Sequence, residues 1–107
     1  MVGKTEDQVK ASCYRYLKKN GWDPVTIYTG GIPGPGKMRL PNPAKGIPDC
    51  IAFHYGSKKV VWIEFKREIG GKVSDDQNKW HFKLVYCGQK IIVVNSLKSL
   101  KEQLDET

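Results

Sequence analysis

The chain has 107 residues, 39% of them hydrophobic and 10% aromatic, which bounds it to one globular domain with a single core. Eighteen Lys and Arg against eleven Asp and Glu give a net charge of +7, which favours polyanions; the basic residues are dispersed, so nucleic acid comes before an anionic membrane. No apolar run approaches the roughly 20 residues that span a bilayer, and MVGKTEDQVK lacks the apolar stretch of a secretory signal, so a cytoplasmic location is expected.

Thr5-Glu6-Asp7-Gln8 is a capping box, with Thr5 as N-cap and Gln8 reaching back. The helix it opens carries Val9, Cys13, Tyr16 and Leu17 on one stripe and stops at Asn20-Gly21. Trp22 to Thr29 alternates as a first strand. Residues 30–47 then run through GGIPGPGKMRLPNPAKGI, too rich in Gly and Pro for helix or ladder. This is a long loop within the domain, functional or mobile, and made basic by Lys37, Arg39 and Lys45.

Cys50 to Tyr55 and Val60 to Lys66 read as two strands joined by a tight turn at Gly56-Ser57-Lys58-Lys59. A Gly-containing loop from Glu68 to Val73 leads to a second capping box, Ser74-Asp75-Asp76-Gln77. Its helix runs through Tyr86 and is closed by Gly88. Ile91 to Val94 is another buried strand, and Asn95 or Ser96 caps a last helix with Leu97, Leu100 and Leu104 inward. The order α-β-β-β-α-β-α predicts an α/β fold with a mixed sheet and no long apolar helix face left spare.

Two local signals exclude themselves. Gly31 to Met38 nearly spells a phosphate-binding loop, but Met38 stands where a hydroxyl must hold magnesium, and Leu40-Pro41-Asn42-Pro43 bars the helix that must follow. No nucleotide cofactor is expected. Cys13, Cys50 and Cys87 form no CxxC pair and sit among apolar neighbours, so all three read as reduced core residues. His54 and His81 have no cysteine at zinc-ligand spacing.

The run Val60-Val61-Trp62-Ile63-Glu64-Phe65-Lys66 carries the chemistry. It is apolar on both faces, as a central strand is, yet Glu64 and Lys66 share one side of the pleat at its end. Charges there are costly unless paired. With Ser57-Lys58 as a two-residue turn, Asp49 on the preceding strand faces Lys66, and a register off by one or two keeps Asp49 beside Glu64. Two adjacent carboxylates repel and together hold a hard divalent cation; magnesium suits them. The Lys66 ammonium can then touch a metal-bound water or a substrate phosphate. The competing reading is a cross-strand salt bridge, which belongs on an exposed face rather than in an apolar run. Glu6 and Gln77 lie on the inward stripes of their helices one turn ahead of Val9 and Trp80; the alternative is that they only complement the helix dipole.

Pro48-Asp49 followed fifteen residues after the aspartate by Glu64-x-Lys66 resembles the PD-(D/E)xK nuclease motif. More narrowly, KGIPDCIAF, WIEFKRE and GGKVSDDQNKWHFKL are similar to the virus-type replication-repair nuclease family, VRR-NUC, from the Glu6 helix to the Ile91–Val94 strand. The resemblance implies a restriction-endonuclease-like α-β-β-β-α-β core followed by a C-terminal helix. It implies DNA phosphodiester hydrolysis with magnesium or manganese held by Asp49, Glu64 and the backbone carbonyl of Phe65. Lys66 would orient or activate water, Glu6 would support the metal directly or through water, and Gln77 would sit beside the lysine. Lys37, Arg39, Lys45, Arg67 and Lys72 are the candidate DNA contacts. The function expected is a structure-specific endonuclease, a Holliday-junction resolvase acting as a homodimer, since one small domain has one site and a two-fold dimer has two. The alternatives are a monomeric flap or nicking nuclease and a non-catalytic DNA-binding module.

Overall fold

The computed structural model describes residues 3–28, 32–40 and 42–105. Both capping boxes form, each glutamine side chain accepting from the N–H of the cap that its own N–H bonds in return. The first opens α1 (Glu6–Lys19) and the second α2 (Asp75–Tyr86). The remaining elements are β1 (Trp22–Thr26), β2 (Ile32–Pro33), β3 (Arg39–Leu40), β4 (Cys50–His54), β5 (Lys59–Phe65), β6 (Lys90–Val94) and α3 (Leu97–Asp105). Ser96 is the cap of α3, its hydroxyl accepting from Ser99 N–H.

The main sheet has the order β1-β4-β5-β6, antiparallel except for the parallel β5–β6 pair that α2 connects. The class is therefore mixed α/β, as the element order predicts. Strand β5 is interior, which explains its apolar character on both sides. Val61, Ile63 and Phe65 join Val9, Cys13 and Leu17 of α1 and Leu100 of α3 in one core. Trp62, Glu64 and Lys66 point to the opposite face, where they meet Gln89, His81 and Gln77. No helix among the described residues is long and apolar enough to cross a membrane.

Four expectations need correction. Strand β1 ends at Thr26, although Ile27 N–H still donates to Asp49 C=O at 2.8 Å; Thr29 lies outside the described residues. The basic loop does contain a ladder, because β2 and β3 pair antiparallel around a turn closed by Gly34 N–H on Met38 C=O. A two-stranded ribbon tolerates Pro33 because each strand has a free outer edge. Cys87 is exposed, since it is the C-cap of α2 rather than part of the sheet-facing stripe. Helix α2 also buries no residue fully and leaves Phe82, Val85 and Tyr86 exposed, so an apolar helix face is in fact spare.

The loop's end is pinned to the start of α2. A Cβ on Gly46 would lie 2.5 Å from the Asp76 carbonyl carbon, and its φ is +91°. Lys45 adds only an exposed 3.6 Å ion pair to Asp76, which contributes little. Gly46→Ala must therefore displace backbone as well as adopt a strained φ, at a cost of about 1–3 kcal/mol or more. A fall in Tm of about 5 °C or more in a thermal melt is the expected result.

Candidate active site

The site lies at the start of β4. Pro48 is buried and has no N–H, so the ladder ends, and the Asp49 side chain takes over: its Oδ2 accepts from Phe65 N–H at 2.8 Å. In an extended strand a residue's N–H and C=O point to the same edge, so the Phe65 carbonyl faces this side as well. The hairpin pairs His54 with Lys59 and Cys50 with Ile63. The turn is thus Tyr55–Lys58, with Lys58 at φ 59°, and the register differs by two residues from the one expected. Continued one pair further, it sets Asp49 opposite Glu64 rather than Lys66.

Glu64 is 1% exposed, and its carboxyl group lies close enough to that of Asp49 for the two to interact. Burial, then the Asp49 contact and charge, push its pKa up to about 9. Without a cation this environment favours the protonated form of Glu64. Glu6, at the first turn of α1, has its pKa raised by burial and by the Asp49 charge, with Lys66 opposing, which places it in the same electrostatic cluster.

Lys66 Nζ donates to Gln77 Oε1 at 2.7 Å, and the same oxygen accepts from Ser74 N–H at 2.8 Å. The capping box of α2 thereby doubles as a clamp on the lysine. Gly71 packs on the other side, where a Cβ would meet Lys66 Cβ at 2.9 Å. Lys66 opens into a cleft of about 420 Å³ lined also by Glu6, Arg67, Gly70, Gly71 and Lys72. A groove of about 480 Å³ beside α1, lined by Arg15, Tyr16, Lys18 and Lys19 among others, has no carboxylate in its wall.

All five residues expected at the centre are thus gathered at one end of the sheet. Of the expected DNA contacts, Arg67 and Lys72 line the cleft and Lys45 lies beside α2's first turn, while Lys37 and Arg39 are exposed on the β2–β3 ribbon. One residue was missed. His81 Nε2 lies 3.6 Å from Glu64 Oε1, and neither atom has a hydrogen-bond partner. Burial, then Lys66, lowers the His81 pKa. Its signal in the sequence is spacing, four residues beyond Gln77 on one helical stripe.

Among the described residues no three His, Cys, Asp or Glu side chains converge to hold a metal by themselves. The donors that are present still suit a hard cation: two facing carboxylates, one with a buried unpartnered oxygen, and a carbonyl on the same edge. Such a set leaves room for water and phosphate oxygens, which magnesium keeps and softer metals do not require. Neither the family models, nor the curated proteins, nor the solved structures compared with this chain include a match.

Proposed function

We propose that the chain is a magnesium- or manganese-dependent DNA endonuclease of the PD-(D/E)xK type, with a restriction-endonuclease-like core of the VRR-NUC kind. The observation that carries this reading is half-buried Asp49 set opposite buried Glu64, with Lys66 clamped by Gln77 two residues further on. A structural ion pair would set Asp49 or Glu64 against Lys66, whereas here the lysine is held by a neutral glutamine and the carboxylates face each other.

A bound divalent cation supplies charge neutralisation at the phosphate and acidifies water. Asp49, Glu64 and the Phe65 carbonyl would hold it, with Glu6 completing the set directly or through water. Gln77 fixes the Lys66 ammonium in the cleft, where it stabilises negative charge gained by the phosphate in the transition state. Arg67 and Lys72 extend the positive wall along a DNA backbone.

The substrate we assign is branched DNA, with a homodimer resolving four-way junctions. The spare face of α2 with Phe82, Val85 and Tyr86 is an apolar surface for a second copy, and two-fold symmetry gives two opposed cuts. Purified protein incubated with labelled linear, flap and four-way DNA, with and without magnesium, tests the whole reading. Metal-dependent junction cleavage, with a dimer mass by light scattering, is the expected result. A monomer that cuts flaps faster removes the resolvase part, and no cleavage with any metal leaves a DNA-binding module.

The basic loop should contribute to affinity. Replacing Lys37, Arg39 and Lys45 together with alanine is expected to weaken DNA binding and flatten its log–log salt dependence by about one unit per lost phosphate contact. An unchanged slope in a fluorescence-anisotropy titration places the ribbon away from DNA.

A further inference from the structure

Helix α2 meets β5 twice. Gln77 holds Lys66, and one turn later His81 faces Glu64. The match is metric: four residues of helix advance about 6 Å and two residues of strand about 6.6 Å, so an antiparallel helix can address both members of Glu64-x-Lys66 at once. The first clamp is closed by a hydrogen bond. The second consists of two buried atoms, Glu64 Oε1 and His81 Nε2, that face each other at 3.6 Å and bond to nothing else. Leaving both unmade is costly, and a shift of about half an ångström closes the bond.

We propose that His81 is a positioning residue for Glu64, donating from Nε2–H to Oε1 and so fixing the rotation of the buried carboxyl group. The last torsion of a glutamate is broad and sets no orientation by itself. Of its other neighbours, Asp49 and Glu6 repel the charged form, and Lys66 favours it by charge while its own ammonium is hydrogen-bonded to Gln77. His81 is then the donor placed to hold the Glu64 carboxylate in one orientation, with the carboxylate in turn selecting the Nε2–H tautomer. The inference rests on the nuclease reading, because an oriented Glu64 matters as a cation ligand.

Manganese alone is the probe, titrated into wild type, His81→Gln and His81→Leu and followed by calorimetry. His81→Leu, which fills the space without a donor, is expected to weaken binding about tenfold to a hundredfold, and His81→Gln to recover part of the loss. Nitrogen-15 NMR of the wild-type imidazole should show the Nε2–H tautomer, a readout that needs no variant to fold. Wild-type affinity in His81→Leu, equal loss in both variants, or the Nδ1–H tautomer would each overturn the role of His81. Wild type that binds no manganese is a different failure, since it removes the metal site and the positioning role with it.

Discussion

Lys66→Ala is expected to lower the rate of DNA cleavage by about a hundredfold or more, the usual consequence of deleting one well-placed electrostatic group from a transition state. DNA binding should survive, because on the proposed reading Arg67, Lys72 and the rest of the +7 net charge would supply most of the attraction. The fold should survive too, since Lys66 is only partly buried and Gln77 keeps its bond to Ser74 N–H. Single-turnover cleavage at saturating protein separates the two effects: the rate should collapse while the binding curve stays in place. Near-normal cleavage would rule out the role given to this lysine.

The second large effect couples pH, metal and stability. Glu64 has a folded pKa of about 9 against an ordinary value of 4.5, so the native state retains a proton that the unfolded chain releases. That contribution is fully present below about 4.5 and is lost as pH rises through about 9. Glu6, also raised, acts with the same sign. His81, lowered, acts oppositely, and only on the acid side of its ordinary 6.5. In EDTA, Tm should therefore fall between neutral and alkaline pH, and Glu64→Gln should flatten that limb.

On the proposed reading magnesium or manganese would bind only the native state with its carboxylates ionised, so the expected metal-induced rise in Tm grows as pH increases. Asp49→Asn keeps an oxygen for Phe65 N–H and offers an amide N–H to Glu64, relieving the repulsion. It should melt no lower than wild type in EDTA at pH 8 yet lose most of the metal-induced rise. Differential scanning calorimetry across this set is decisive, and a full metal shift in Asp49→Asn would remove Asp49 from the site.

The sequence by itself determined what local chemistry controls. Thr5 with Gln8 and Ser74 with Gln77 specify where α1 and α2 begin, because each capping box is closed within four residues. The apolar run through Phe65 specifies an interior strand, since only burial on both faces suits it. The neighbourhood of Asp49 and Glu64 was legible for a different reason: slipping the hairpin by two residues changes which rung they share but not which end of the sheet they occupy. The turn itself was not legible, because Lys58 adopts a positive φ that glycine ordinarily supplies. The exposure of Cys87, Phe82, Val85 and Tyr86 depends on how far α2 extends over the sheet, a matter of tertiary placement that no local pattern encodes. The same placement brings His81 to Glu64 and Gln77 to Lys66. Helical period names a stripe of candidates, but which of them meets a strand residue is decided by the height and angle at which the helix docks, and docking is settled by the packing of the whole core.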